Sequence, residues 1–186
     1  MERREEEVEG LHFSERKNGS SGESQKKRST VDEEDYPLAQ PVRYCRVRPV
    51  VVLDTNILLD ILVFDDQRAH PLRTALTDKK IDAVATAKTI EEFVDVIGRP
   101  QFKLSIHQQE EICLQWQEWS RLLDDASLVL APWKCKDRDD QIFINLAYSL
   151  RPAILISKDK LVLKIAKRAI KEDVVITSDH NKFAFA

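Results

Sequence analysis

The sequence predicts an α/β fold with a mostly parallel central sheet of about five strands and helices on both faces. The run VVVL at 50–53 is continuously apolar, which is typical of a parallel strand buried on both sides. Segments of strand character then alternate with segments of helical periodicity, as they do when helices connect parallel strands. With 186 residues, of which 42% are hydrophobic, the chain can bury one sizeable core, so we expect a single three-layer α/β/α domain.

The first half of the pattern contains one further strand and two helices. A helix near 55–64 follows the first strand directly, and a strand near 81–86 (IDAVAT) comes next. A helix near 89–97 is predicted because its apolar residues recur at helical spacing and form one face: Ile90, Phe93, Val94 and Ile97.

The second half begins with a long predicted helix near 104–123. The large residues Ile112, Trp116, Trp119 and Leu123 share one face of that helix, so we interpret them as core or partner packing rather than as a base-stacking surface. The remaining apolar runs predict strands near 127–131, 153–156 and 173–177, and helices near 139–150 and 160–171.

The N-terminal part of the chain differs from the rest in composition. Residues 1 to 35 carry 11 acidic and 7 basic residues with little apolar periodicity, and prolines punctuate the stretch that follows. Such a segment cannot bury enough surface to offset its ordering entropy. We therefore expect residues 1–45 to form a disordered acidic and polar tail with a linker, and residues 46–186 to form the functional domain.

Several classes of protein are excluded by residue usage. The charged N-terminus resembles no secretory signal and no run is long and apolar enough to span a membrane, so we expect a cytoplasmic protein. Gly98 is the only glycine outside the first 22 residues, which argues against a phosphate-binding loop or a dinucleotide fold. The three cysteines lack the paired spacing of a zinc site, and the four histidines match no ligand spacing.

Acidic side chains recur where predicted strands end or predicted helices begin. Asp54 directly follows the first strand, and Asp159 stands just beyond the strand near 153–156. Because the carboxyl ends of parallel strands share one edge of the sheet, we expect these two acids to lie close together. Further acids flank two of the helices: Glu91 and Glu92, and Asp137, Asp139 and Asp140.

Each acid taken alone could simply cap a helix, an interaction that contributes about 0.3–1 kcal/mol without any catalysis. Several carboxylates that converge repel one another unless a cation neutralises them, and hard cations such as Mg²⁺ take oxygen ligands. The convergence therefore predicts a divalent-metal site. Asn56, two residues after Asp54, adds a neutral group able to hold a water or a phosphate oxygen.

These residues stand in motifs that resemble those of PIN domains. RPVVVLDTNILL (48–59) resembles the opening motif of the family, which implies Asp54 as the first acid with Thr55 and Asn56 as companions. TAKTIEEFVDVIGRPQF (86–102) resembles the second segment, which implies Glu92. Helical periodicity by itself leaves the choice between Glu91 and Glu92 open.

Two later segments continue the resemblance. DRDDQIFINLA (137–147) is similar to the third segment and implies Asp140, with Asp139 and Asp137 as alternatives. ILISKDKLVLKIAKRA (154–169) is similar to the fourth and implies Ser157 and Asp159. Many relatives have glycine where this chain has Lys158.

The resemblance covers roughly residues 48–178. Within the family, the motifs resemble those of a subgroup that forms the toxin components of bacterial toxin–antitoxin pairs. It implies a PIN-like fold and an endoribonuclease that uses Mg²⁺ or Mn²⁺ to activate water and to neutralise charge on the phosphate. It also implies an RNA substrate, a small antitoxin protein as partner, and a homo-oligomer. Asp54 and Asp140 would be the principal metal ligands, Asp159 and Glu92 further ligands or water-positioning groups, and Asn56 and Ser157 orienting groups.

Basic residues near Asp159 are candidates for RNA binding. They are Lys158 and, along one stripe of the predicted helix near 160–171, Lys160, Lys164, Lys167, Arg168 and Lys171. Such a stripe can contact phosphates without reading sequence. It is equally typical of the solvated face of an amphipathic helix.

Two other functions are compatible with part of the pattern. A haloacid-dehalogenase-like phosphatase also places an aspartate after its first strand, but it requires a second aspartate where this chain has Asn56. A catalytically degenerate PIN module that binds RNA or protein is the other alternative, and the complete set of four acids argues against it.

Overall fold

The computed structural model describes residues 48–180, which contain five strands and seven α-helices. The strands are β1 (Val50–Leu53), β2 (Asp82–Thr86), β3 (Ser120–Leu123), β4 (Ala153–Ile156) and β5 (Val174–Thr177). The helices are α1 (Thr55–Leu62), α2 (His70–Thr77), α3 (Ala87–Ile97), α4 (Ile106–Trp119), α5 (Gln141–Ser149), α6 (Lys160–Leu163) and α7 (Ala166–Ala169).

The five strands form one sheet in the order β3-β2-β1-β4-β5, and every neighbouring pair is parallel. Alternate strand residues face opposite sides: Val51 and Leu53 belong to one buried cluster, whereas Val52 belongs to the other. Helices α1 to α4 supply the first cluster, and α5 to α7 supply the second. The predicted three-layer α/β/α fold is therefore confirmed, with a sheet that is parallel throughout.

Strand β3 was not predicted. Its residues were expected to continue the helix near 104–123, but α4 ends at Trp119 and the backbone becomes extended at Ser120, with φ −103° and ψ 151°. The strand pairs with β2 from Ala83 to Thr86. Trp116 and Trp119 are buried in the first cluster, so their interpretation as core residues is confirmed.

The strand predicted near 127–131 is wrong, because that segment pairs with no strand among residues 48–180. Its backbone instead bonds to side chains of α5: Val129 N–H donates to Ser149 Oγ at 2.7 Å, and Ala131 N–H donates to Asn145 Oδ1 at 3.0 Å. The apolar run therefore lies against a helix as a loop.

The continuous helix predicted near 160–171 is also wrong in detail. It is divided into α6, α7 and a 3₁₀ turn at Ile170–Glu172. Two i→i+3 hydrogen bonds, from Ile165 N–H to Val162 O and from Arg168 N–H to Ile165 O, interrupt the α-helical pattern. Helix α2, which the periodicity did not reveal, adds Leu72, Ala75 and Leu76 to the first cluster.

The predicted tail at 1–45, which includes Cys45, lies outside the described residues, as do the last six residues of the chain. Among residues 48–180, no helix has both the length and the apolar character needed to cross a membrane.

The order of the strands fixes where a site can form. From β1 the chain proceeds outward to β2 and β3, then crosses back to β4 on the other side of β1. In parallel sheets, connections that leave in opposite directions open a crevice beyond the carboxyl ends of the two strands. That crevice lies here between the ends of β1 and β4.

We expect Phe93→Ala to lower the free energy of unfolding by about 3–5 kcal/mol, because the ring is fully buried and its loss leaves a cavity. Val94→Ala, its neighbour on α3 and 41% exposed, should change that free energy by no more than about 0.5 kcal/mol. Urea denaturation measures both. Equal effects of the two substitutions would contradict the assigned packing of α3.

Candidate active site

Asp54 lies directly after β1 and is only 3% exposed. Its Oδ2 accepts a short hydrogen bond from Ser157 Oγ and another of 2.7 Å from Asn56 Nδ2. Burial raises the pKa of the Asp54 carboxyl, the hydrogen bonds from Ser157 and Asn56 lower it, and the charge of Asp159 raises it further. Both side-chain bonds go to Oδ2, and the backbone of Asn56 donates a further hydrogen bond to the carboxylate.

Side chains and backbone join the ends of β1 and β4 around this carboxylate. Asn56 Oδ1 accepts from Lys158 N–H at 3.0 Å, and Ser157 Oγ accepts from Asp159 N–H at 3.0 Å. Asp54 N–H continues the sheet by donating to Ile156 O at 3.0 Å. Asn56 and Ser157 therefore both anchor the same oxygen of Asp54.

Glu92 lies in the middle of α3, since that helix begins at Ala87 rather than near 89 as predicted. Its Oε1 accepts from Thr55 Oγ1 at 3.0 Å, which connects it to the first residue of α1. Burial raises the pKa of Glu92 to about 7, with smaller contributions from the charges of Asp54, Asp139 and Asp137. Glu91, the alternative, is exposed.

Asp140 stands at the N-cap position of α5, but its side chain makes no capping bond. Burial raises its pKa to about 7, and repulsion from Asp54, Asp159, Asp137 and Glu92 adds to the effect. The alternatives Asp137 and Asp139 are exposed, and Asp137 Oδ1 accepts from Asp139 N–H at 3.1 Å. Of these three aspartates, Asp140 is the one that is partly buried, and the charge of Asp54 contributes to its raised pKa.

Asp159 caps α6. Its Oδ1 accepts from Leu161 N–H at 2.6 Å and Val162 N–H at 3.2 Å, so the simple capping role is present here. Both bonds use Oδ1, and Oδ2 is the oxygen that the cap does not use. Its charge nevertheless acts on Asp54 and Asp140.

The four acids thus come from four separate segments, and the pKa values of Asp54, Glu92 and Asp140 are each raised in part by the charge of another of them. Within residues 48–180 no three His, Cys, Asp or Glu side chains are gathered tightly enough to form a metal site as they stand. The donor chemistry still fits a hard cation, because carboxylate, amide and hydroxyl oxygens are what Mg²⁺ and Mn²⁺ prefer. Mg²⁺ is commonly held by one or two carboxylates with water completing the shell, so a full set of direct ligands is not required.

The sequence reasoning missed an ion pair beside this site. Asp60, 6% exposed on α1, pairs with the ammonium group of Lys158. A buried carboxylate requires such compensation. The signal was available, because Asp60 is the one charged residue in the otherwise apolar run ILLDILV at 57–63.

The predicted RNA-binding residues on α6, α7 and the turn that follows are all exposed: Lys160, Lys164, Lys167, Arg168 and Lys171. The apolar residues between them, Val162, Ile165 and Ala169, are buried in the second cluster. This arrangement suits a solvated face and a phosphate-binding face equally.

A family model described as "PIN domain" matches residues 50–161, which include all four acids. The chain therefore belongs to the PIN-domain family. Among solved structures, the chain is similar to the crystal structure of VapBC2 from Rickettsia felis bound to a DNA fragment from their promoter. The identity is 13% and the TM-score 0.47, over 70% of this chain and 99% of that one. No curated protein is significantly similar to the chain.

We expect the metal-free protein to lose stability as the pH rises from about 4 to about 7, the interval between the ordinary carboxyl pKa and the raised values of Glu92 and Asp140. A raised folded-state pKa means that the folded state holds the proton more tightly than the unfolded state, so stability is lost as that proton leaves.

Thermal melting in EDTA at several pH values measures this effect. Asp140→Asn should melt higher than the parent at pH 8 and flatten the pH dependence, whereas the exposed Glu110→Gln should leave it unchanged. A parent protein that melts at the same temperature at pH 5 and pH 8 would contradict the assigned electrostatics.

Proposed function

We propose that this protein is a divalent-metal-dependent endoribonuclease that hydrolyses RNA phosphodiester bonds at the carboxyl edge of its sheet. The observation that carries the proposal is the coupling of Asp54, Glu92, Asp140 and Asp159 within the span matched by the PIN-domain model. PIN domains are generally nucleases, which supports the reaction class. The choice of RNA rests on the resemblance of the sequence motifs.

In this proposal Asp54 and Asp140 would hold Mg²⁺ or Mn²⁺, and Asp159 and Glu92 would be further ligands or would position a water. A bound divalent cation would supply Lewis-acid chemistry, lowering the pKa of a water and neutralising charge on the phosphate. Carboxylates whose charges raise one another's pKa values favour binding a cation, because the cation relieves their repulsion.

The chain's own side chains provide orientation and proton-transfer groups. Ser157 and Asn56 fix one oxygen of Asp54, and Thr55 fixes one oxygen of Glu92. Glu92 has a pKa of about 7, which suits a group that accepts a proton from water near neutral pH. Lys158 N–H holds the far side of the Asn56 amide.

The phosphatase alternative is disfavoured by the surroundings of Asn56. A phosphatase of that class requires an acid at this position to exchange a proton. Here an amide donates to Asp54 Oδ2 and accepts from Lys158 N–H, so each end of the amide is already used in positioning.

We expect the purified full chain to cleave RNA with Mg²⁺ or Mn²⁺ and to lose cleavage in EDTA. Asp54→Asn should reduce cleavage at least about 100-fold, because removing one charge weakens cation binding. Asp95→Asn, which alters an exposed acid paired with Arg99, is the matched control and should cleave normally.

Denaturing gel electrophoresis of a labelled RNA measures these rates. Cleavage that persists in EDTA, or that Asp54→Asn leaves intact, would refute the metal mechanism. Hydrolysis of a small phosphate ester through a trapped aspartyl-phosphate would favour the phosphatase instead.

We further propose that the protein is the toxin of a bacterial toxin–antitoxin pair, acting in the cytoplasm as a homo-oligomer with a small antitoxin as partner. Residues 46–186 would suffice for activity, and the exposed basic residues Lys160, Lys164, Lys167, Arg168 and Lys171 would contact RNA phosphates. The resemblance of the four sequence segments to such toxins supports the biological role.

Induced expression of the full chain in a bacterium should slow growth, and Asp54→Asn should abolish the effect at equal protein level. Co-expression of a short reading frame adjoining this gene should restore growth. Growth curves with immunoblots measure both. Equal inhibition by Asp54→Asn would show that inhibition does not depend on this site.

A further inference from the structure

A polar pocket lies beside the acidic site, at the carboxyl ends of β4 and β5. Its volume is about 170 Å³, and it is lined by Arg68, Lys158, Ser178, Asp179 and His180. Lys158 separates Ser157 from Asp159, so one side of this pocket adjoins the acidic site. Ser178 directly follows β5, and Arg68 comes from the 3₁₀ turn Gln67–Ala69 after α1.

His180 provides the first indication of a ligand. The residue is 6% exposed, and its Nε2 is buried without a hydrogen-bond partner among residues 48–180. Buried side-chain nitrogens nearly always have a partner, so the unused Nε2 of a residue that lines the pocket calls for an explanation. A ligand oxygen accepting from Nε2–H would supply that partner.

The other side chains of the wall offer mainly donors. Arg68 binds Asp66 through Nε, at 3.1 and 3.2 Å, and through Nη2 at 2.6 Å, which leaves Nη1 unused by that pair. Lys158 pairs with Asp60 and carries three N–H groups. Asp179 contributes one carboxylate, but the arginine, lysine, histidine and serine donors outnumber it.

This composition distinguishes a phosphate from a base. None of the lining residues is Phe, Tyr or Trp, on which a base would stack. A cluster of N–H and O–H donors matches phosphate oxygens, which only accept. The volume leaves room for a phosphate group, since one water needs only about 10–15 Å³ of such space.

We propose that Arg68, Lys158, Ser178 and His180 form a phosphate-binding subsite for the RNA backbone, next to the scissile phosphate. The inference rests on the proposed function, since it assigns a path to the same substrate. RNA would run along the carboxyl edge of the sheet from the acidic site toward β5. Contacts of this kind position the backbone without reading its sequence.

The test measures binding of the full chain to two labelled single-stranded RNAs of unrelated sequence, by fluorescence anisotropy across a range of salt concentrations. The parent protein carries Asp54→Asn so that the RNA stays intact. Adding Arg68→Gln or His180→Gln should weaken binding of both RNAs roughly tenfold. Arg68→Gln should also make the dependence of log affinity on log salt shallower by about 0.7, the value for one phosphate contact on a single strand.

Arg121→Gln is the matched control. Arg121 binds Asp82 through Nε and Nη2, as Arg68 binds Asp66, but at the amino ends of the strands, so its removal should leave RNA binding unchanged. Arg68 is exposed, so Arg68→Gln keeps the test valid even where His180→Gln impairs folding.

Arg68→Gln binding both RNAs with the affinity and salt dependence of the parent would overturn the subsite while leaving the proposed nuclease intact. A loss confined to one RNA would also overturn it, because the pocket would then read a base. If the parent bound no RNA and the unsubstituted chain cleaved none, the proposed function itself would fail.

Discussion

The buried carboxylate of Asp54 is the feature around which the carboxyl edge of the sheet is organised. Removing a carboxylate from water is unfavourable unless hydrogen bonds or opposite charges compensate it. Ser157 from the end of β4 and Asn56 from the first turn of α1 both donate to the same oxygen. The hydrogen bonds to Asp54 thereby connect the ends of β1 and β4. The other three acids lie around this carboxylate.

Compensation at this edge is only partial. Glu92 has one side-chain donor, Thr55, and Asp140 has no capping bond, so burial and mutual repulsion raise the pKa of each to about 7. Asp60, by contrast, is neutralised by Lys158, the residue that precedes Asp159. The protein therefore satisfies one buried acid with its own cation and leaves a neighbouring group of acids under-compensated. Carboxyl groups whose pKa values are raised in this way are typical of functional sites.

How far the sequence could predict this arrangement depended on whether a signal was local. The run VVVL followed by Asp54 fixes a buried strand and an acid at its end within five residues, and the prediction of a three-layer fold followed from that pattern. The site residues Glu92 and Asp140 came from resemblance, because helical periodicity does not distinguish Glu92 from Glu91. Charge coupling across four segments becomes visible only once the strands are ordered.

Two of the errors in the predicted elements have a common physical origin, which is competition for backbone hydrogen bonds. Residues 127–131 are apolar enough for a strand, but Asn145 and Ser149 of α5 take up their N–H groups. Residues 120–123 carry leucines at helical spacing from Trp116 and Trp119, yet the open edge of β2 pairs with them instead. His180 belongs to no recognisable motif in the sequence. Only the fold places it beside Lys158.

The two hydrophobic clusters have a consequence for the acidic site. Glu92 belongs to α3, whose Phe93 and Ile97 pack in the first cluster, whereas Asp140 precedes α5, whose Phe143 and Ile144 pack in the second. An ion bound by both carboxylates would connect the helices on the two faces of the sheet, at its carboxyl edge. The affinity for the ion and the stability of the packing on both faces would then be thermodynamically linked. A substitution that destabilises either hydrophobic cluster would therefore also weaken ion binding.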